Sequence, residues 1–205
     1  MKKEVALYVG DSLGRYGFPD GHPFGPDRQD AFWKEAVKQG LDQRAAISDP
    51  RMAAQEELHR FHTPEHVAWV KEKSEEGYGA IDYGDTPAYP GVYEAAATVA
   101  GSALHGLDTI MSGGALRTFQ PIGGLHHARP GSAAGFCVFN DIGVVIDTLR
   151  ADHVGAYGDT NAATPAIDAL ARRGVRFEHA HTATPLTGPS HATILTGQYP
   201  PVHGV

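Results

Sequence analysis

Strand-like and helix-like segments alternate along this chain, and this alternation constrains the fold more than any other feature of the sequence. We expect strands at residues 4–9, where valines stand near both ends of an apolar run, and at residues 115–119. Residues 28–39 carry apolar side chains at helical spacing, and the Ala-rich residues 90–107 favour a second helix. Strands that alternate with helices predict a domain of the α/β class.

Residues that typically begin or end helices support these assignments. Gly40 is a natural stop for the helix at 28–39. Thr63 followed by Pro64 predicts another helix start, because a threonine side chain caps the first free N–H groups and proline is tolerated at the first helical position. Gly106 is expected near the end of the Ala-rich helix.

Charge and composition narrow the classes of function and partner. The 205 residues have a formal net charge of −7 and contain no run of lysine and arginine, so we expect no binding to nucleic acid or to a membrane surface. The single cysteine, Cys137, excludes a disulfide framework and a Cys-rich zinc site. No apolar run has the length of a signal-peptide core or of a membrane span, so we expect a cytoplasmic protein.

Two adjacent histidines, His126 and His127, follow the glycine pair at 123–124. In such a pair one imidazole can accept a proton from water while the other stays charged or donates a hydrogen bond to an oxyanion. The glycines allow a substrate to approach the backbone closely. From the spacing alone, two ordinary surface histidines are the more frequent explanation of such a pair.

Three segments resemble one known family. Residues 123–141, GGLHHARPGSAAGFCVFND, are similar to the His-His and Gly-Phe-Cys signature of the zinc-dependent histone deacetylase and acetoin-utilization family. His22-Pro23 with Pro26 and Arg28 resembles the early His-Pro segment of that family, and residues 84–87 resemble its substrate-rim loop. The resemblance covers residues 1–146. It implies part of an arginase-like parallel-sheet α/β fold and hydrolysis of an acylated amine such as acetyl-lysine.

The resemblance also implies roles for individual residues. His126 and His127 would be the tandem catalytic histidines, which act on the attacking water and protonate the leaving amine. Gly135 would offer its carbonyl to the substrate amide, and Phe136 would form one wall of the acyl channel. The substrate would be a small molecule or an acetyl-lysine-type group.

The resemblance places two further residues at the edges of the site. Asp85 would hold the substrate backbone at the rim, and Arg28 would line an internal cavity. Taken alone, an Asp or Arg is more often a turn cap or part of a surface salt bridge. Cys137 is expected to be a small buried apolar residue rather than a nucleophile.

The zinc site implied by the resemblance is incomplete. The family's ligands would follow the Asn140-Asp141 helix as an Asp-x-Asp-x-His-His-Gly-Asp-Gly run, and the sequence contains no such run. The nearest string, residues 152–159, has the wrong spacing. A catalytic zinc needs three protein ligands in fixed geometry, so we expect weak zinc binding or none.

From about residue 144 the chain resembles the opening of a sulfatase, in the alkaline phosphatase superfamily. That resemblance implies Asp147 as a ligand of calcium or another divalent metal, and Thr187 at the nucleophile position. A nucleophile at a helix N-terminus suits a sulfate or phosphate ester, because free N–H groups attract the anion. Sulfatases carry Cys or Ser at the position of Thr187 and Arg at that of His191. Alternatively, Thr187 and Ser190 simply cap a short helix.

The two resemblances disagree about residues 143–154, GVVIDTLRADHV. The deacetylase-like alternative predicts a helix after Asn140, whereas the sulfatase-like alternative predicts a strand through residues 144–146 with Asp147 at its tip. We therefore expect two incomplete pieces, 1–146 and a sulfatase-like α/β fragment at 147–205. The sequence supports three functions: a deacetylase-family amide hydrolase that is inactive as this chain, an ester hydrolase with Thr187 as nucleophile, or a non-catalytic chimera.

Overall fold

The structure is a computed structural model, and it describes residues 4–19, 21–146, 156, 168 and 171–173. Contacts divide the chain into one unit at Met1–Arg150 and a second at Ala151–Val205. The strands and helices below belong to the first unit.

A three-stranded parallel sheet lies in this unit. Its strands are β1 (Val5–Tyr8), β2 (Ala46–Ser48) and β3 (Arg117–Phe119), in the order β2-β1-β3. The central strand β1 is the most buried, as expected for a strand that pairs on both edges. The strands predicted at 4–9 and 115–119 are confirmed. The three-residue strand β2 was not predicted, because so short a segment shows no alternation.

Residues 4–19 and 21–146 form six helices: α1 (Asp11–Gly14), α2 (Arg28–Lys38), α3 (Gln55–Leu58), α4 (Pro64–Glu76), α5 (Val92–Met111) and α6 (Asp141–Ile146). The predicted helices correspond to α2, α4 and α5. The single-turn helices α1 and α3 are too short to show a helical period. None of the described helices is both long and apolar enough to cross a membrane.

Helix α5 forms the centre of the hydrophobic core, and its small residues allow close packing on both sides. A Cβ at Gly101 would lie 2.2 Å from the main-chain nitrogen of Ala53, so this position requires glycine. The prediction that the helix ends near Gly106 is wrong, because the helix continues to Met111. Gly106 instead gives room to Thr118 of β3, whose hydroxyl would lie 3.0 Å from a Cβ at residue 106.

The predicted start of α4 is confirmed. The Thr63 side chain accepts a hydrogen bond from the main-chain N–H of His66, and Pro64 occupies the first turn. The helix ends at Gly77, which adopts a left-handed conformation.

The described part of the segment on which the two resemblances disagree is helical. Helix α6 covers Asp141–Ile146, so the alternative of a strand through residues 144–146 is wrong. The Asn140 side chain caps the helix by accepting from the N–H of Gly143 at 2.7 Å, and Val144 is fully buried. Capping and packing against α5 outweigh the β propensity of the valines.

Candidate functional site

The two predicted catalytic histidines lie side by side on an exposed loop. The ring centroids of His126 and His127 are 4.1 Å apart and the planes are tilted by 39°. Nδ1 of His126 lies 2.8 Å from the carbonyl oxygen of Gly124. A carbonyl can only accept, so Nδ1 carries a proton and donates to this oxygen.

A buried carboxylate holds the main chain that precedes these histidines. The two oxygens of Asp141 accept hydrogen bonds from the N–H groups of Leu125 at 2.7 Å and Gly124 at 2.9 Å. Burial raises the pKa of Asp141, and the two N–H groups offset part of this rise. The loop is thereby attached to the first turn of α6.

Asn140 holds the histidine loop on its other side. Its side-chain nitrogen donates to the carbonyl oxygens of His126 at 3.2 Å and Ala128 at 2.8 Å. The main-chain N–H of Asn140 donates to Nε2 of His62 at 2.9 Å. Neighbouring main-chain groups of the pair are therefore fixed by residues buried beneath them.

Two buried histidines at the start of α4, His62 and His66, connect that helix to the segment from Pro130 to Asn140. Since Nε2 of His62 accepts a hydrogen bond, its Nδ1 carries the proton and donates to Pro130 at 3.2 Å. Nε2 of His66 donates to the carbonyl of Val138 at 3.0 Å. Burial lowers both pKa values, that of His62 to about 3, so both rings are neutral supports at pH 7.

The predicted acyl-contacting residues Gly135 and Phe136 lie next to His127. A Cβ at Gly135 would come within 3.0 Å of the His127 ring, so the imidazole packs directly on the glycine. Phe136 has a positive φ of 69°. Its N–H donates to the Thr86 hydroxyl at 3.2 Å, and its carbonyl accepts from the Tyr16 hydroxyl at 2.6 Å.

The three segments that carry the deacetylase resemblance meet at one imidazole ring. The ring of His22 lies edge-on to Phe136, with centroids 4.4 Å apart. Nδ1 of His22 accepts from the N–H of Phe24, so Nε2 carries the proton and donates to the carbonyl of Asp85 at 3.3 Å. The early His-Pro segment, the rim loop and the Gly-Phe-Cys segment are thus in direct contact.

The rim loop is organised by Asp82, which the sequence did not single out. One of its oxygens accepts from the N–H groups of Gly84, Asp85 and Thr86. Burial alone would raise the pKa of Asp82, but hydrogen bonds from Asp85, Thr86 and the backbone lower it to about 2. The adjacent Asp82 raises the pKa of Asp85, whose side chain is exposed at the rim.

Arg28 lies at the first turn of α2 with its side chain exposed. Its guanidinium stacks over the ring of Phe24, 4.4 Å from the centroid. The cavity-lining role of Arg28 stays a prediction. Cys137 is buried, as expected, and burial raises the pKa of its thiol.

No group of three or more His, Cys, Asp or Glu side chains in the described part of the chain is arranged to hold a metal ion. The described residues therefore do not fit a catalytic zinc, which requires three protein ligands. The predicted metal ligand Asp147 and the predicted nucleophile Thr187 lie outside the described residues.

Two family models match the chain and overlap. The histone deacetylase domain model matches residues 22–156, and the sulfatase model matches residues 140–205. Residues 140–156 belong to both matches.

Curated relatives and a solved structure agree with the first match. The acetoin utilization protein AcuC of Bacillus subtilis (strain 168) is 33% identical over 172 residues, covering 79% of this chain and 44% of the relative. AcuC of Staphylococcus aureus (strain MRSA252) is 33% identical over 157 residues, covering 73% of this chain and 40% of the relative. The crystal structure of the HDA15 HD domain has a TM-score of 0.64 at 26% identity, covering 70% of this chain and 42% of that one. The chain thus spans less than half the length of these relatives.

Proposed function

This chain belongs to the histone deacetylase family, and on that premise we propose that residues 4–146 form the substrate-binding and proton-transferring part of a deacetylase site. The ligand is an acylated primary amine such as acetyl-lysine. The observation that carries the proposal is the convergence of the three family-like segments on His22 and Phe136, beside the pair His126 and His127.

The geometry supports a specific role for each of these residues. Phe136 provides an aromatic wall for the acyl group, and the Gly135 carbonyl next to it accepts the N–H of the substrate amide. In a complete site of this kind, Nε2 of His126 would take a proton from the attacking water. The neighbouring His127 would then deliver a proton to the leaving nitrogen, so that amide and water would become carboxylic acid and amine.

We propose that the chain by itself binds its ligand without hydrolysing it. The family is generally zinc-dependent, whereas the described residues do not supply the ligands of a catalytic zinc. Residues 22–156 account for the deacetylase match, and the sequence from residue 140 onward matches a different family.

Calorimetry with two peptides tests the binding proposal. One peptide contains acetyl-lysine and the other contains free lysine in the same sequence. We expect the full chain to bind the acetylated peptide and to bind the free-lysine peptide at least about tenfold more weakly, because a cationic ammonium does not fit an aromatic acyl passage. Equal affinities for the two peptides would contradict the proposal.

An acetate-release assay with added zinc tests the absence of turnover. We expect no release above that of His127→Ala, which serves as the control. Acetate release by the wild-type chain that is lost in His127→Ala would show an active deacetylase and contradict the proposed inactivity.

The sulfatase match at residues 140–205 favours a second candidate, a sulfatase-like or phosphodiesterase-like ester hydrolase. Thr187 is the nucleophile and Asp147 binds calcium or another divalent metal in this candidate. Turnover of an aryl sulfate and an aryl phosphodiester by wild type and by Thr187→Ala tests it. Identical rates in the two proteins exclude Thr187 as the nucleophile.

The overlap of the two family matches also favours a chain assembled from two incomplete pieces. In that case neither activity rises above that of the double variant His127→Ala, Thr187→Ala.

A further inference from the structure

Phe136 is held in a backbone conformation that a bulky side chain disfavours. Its φ is 69°, and it is the one non-glycine residue with positive φ in the described part of the chain. Left-handed backbone at a large side chain persists only where the surroundings impose it, and such positions cluster at ligand-binding sites. The groups that impose this conformation on Phe136 therefore also set the position of its ring.

Two buried hydroxyl groups hold the main chain of Phe136, one on each side. The N–H of Phe136 donates to Oγ1 of Thr86 at 3.2 Å, and its carbonyl accepts from the Tyr16 hydroxyl at 2.6 Å. The same Tyr16 oxygen accepts from the N–H of Val138 at 3.1 Å. Both polar main-chain groups of Phe136 are thus paired with side chains that are distant in sequence.

Both hydroxyl groups are themselves fixed in place. Tyr16 is fully buried and contacts the rings of Phe18 and Phe24 edge-on, with centroids 5.8 and 5.6 Å away. Burial raises the pKa of Tyr16 well above its usual value, so its hydroxyl keeps the proton that it donates. Thr86 is also fully buried, and its hydroxyl donates to Oδ2 of Asp82 at 2.5 Å, which leaves a lone pair for the N–H of Phe136.

We propose that Tyr16 and Thr86 are positioning residues that set the acyl-chain length accepted by this site, by locking Phe136 against His22. The proposal rests on the proposed function, in which the Phe136 ring contacts the acyl group. When one hydroxyl is removed, Phe136 can relax toward negative φ. Its ring then leaves the edge-on contact with His22, and the passage widens for longer acyl chains.

Three substitutions separate the hydroxyl groups from the rest of each side chain. Tyr16→Phe removes the phenolic oxygen and keeps the ring. Thr86→Val removes the hydroxyl at nearly constant volume, and Thr86→Ser keeps the hydroxyl as the matched control.

Amide hydrogen exchange of the full-length variants tests the lock without any ligand. We expect exchange at Phe136 in Thr86→Val and at Val138 in Tyr16→Phe to be about tenfold faster than in the wild type, the effect of one lost hydrogen bond. Thr86→Ser should stay within about twofold of the wild type. Unchanged exchange in both hydroxyl-deleted variants would overturn the lock.

The ratio of the affinities for acetyl-lysine and butyryl-lysine peptides tests the selectivity. We expect the wild type to prefer the acetyl peptide, and Tyr16→Phe and Thr86→Val to lower that preference by about fivefold, while Thr86→Ser retains it. Partial unfolding would weaken both peptides equally and leave the ratio unchanged. An unchanged ratio in both hydroxyl-deleted variants would overturn the selectivity role.

The two measurements distinguish this inference from the proposed function. If the wild type binds neither peptide, the proposed function fails and the selectivity role fails with it. The exchange rates then still report whether Tyr16 and Thr86 hold Phe136.

Discussion

The main-chain N–H of Asn140 donates to Nε2 of His62 over 2.9 Å, across 78 residues of sequence. Because this N–H occupies the Nε2 lone pair, the bond exists only while His62 is neutral. The opposite nitrogen of the same ring donates to Pro130. One buried imidazole therefore contacts the main chain at Pro130, which precedes Phe136 in the sequence, and at Asn140, which follows it.

Because of His62, the free energy of unfolding of the first unit should decrease as the pH is lowered. Burial, reinforced by the nearby His66, lowers the pKa of His62 from its usual 6.5 to about 3. Between these values the unfolded chain binds more protons, so this contribution is complete above about pH 6.5 and is lost as the pH falls toward 3. We expect a loss of roughly 1.4 kcal/mol per pH unit within that window, measured by urea unfolding from pH 7 to pH 4.

The control for this pH dependence is His62→Gln, which has an amide that does not titrate. The raised pKa of Asp141 acts in the opposite direction, because the folded state then holds the extra proton. Subtracting the variant's free energy of unfolding from that of the wild type removes the part common to both proteins. A difference that is flat with pH would contradict the role of His62.

Asp141→Asn should destabilise the histidine loop, because the carboxylate accepts from two N–H groups and an amide has only one oxygen. The side-chain NH₂ group would face a main-chain donor. We expect a loss of about 2 kcal/mol in the free energy of unfolding at pH 7. The exposed Asp30→Asn in α2 is the control, and an equal effect of the two substitutions would show that Asp141 has no special role.

Gly135→Ala should displace the His127 ring. The new methyl group would lie 3.0 Å from the ring and the residue would keep a positive φ of 55°. Gly113→Ala is a matched control, because Gly113 also has a positive φ, of 71°, but a methyl group there would meet no atom within 4 Å. We expect both variants to lose about 1 kcal/mol of stability from the backbone, and Gly135→Ala alone to shift the NMR signals of His127. Unchanged His127 signals in Gly135→Ala would contradict the packing.

Structural features that depend only on residues close together in the sequence could be predicted. The start of α4 follows from Thr63 and Pro64, and the strand β1 follows from its apolar run. The ambiguity at residues 144–146 could not be resolved from local propensity, because β-branched residues and the Asn140 cap favour different structures. The burial of Val144 and the packing of α6 against α5 decide for the helix.

The residues that hold the site in place do so through contacts with residues that are distant in sequence. Tyr16 reaches Phe136 across 120 residues, and no local pattern marks that tyrosine or the buried His62. Asp82 lies just outside the rim motif at 84–87, and its role depends on a turn that brings three N–H groups to one oxygen. An Asp followed by Tyr-Gly-Asp-Thr is the signal that could have identified this turn.

The central claim is that His126, His127 and Phe136 face one acylated amine. NMR titration of the isotope-labelled full chain with the acetyl-lysine peptide tests it most directly, with the free-lysine peptide as the control. The account expects the acetylated peptide to shift the signals of these three residues and of Gly135, and the control peptide to leave them unchanged. Equal shifts with both peptides, or shifts confined to residues outside this group, would contradict it.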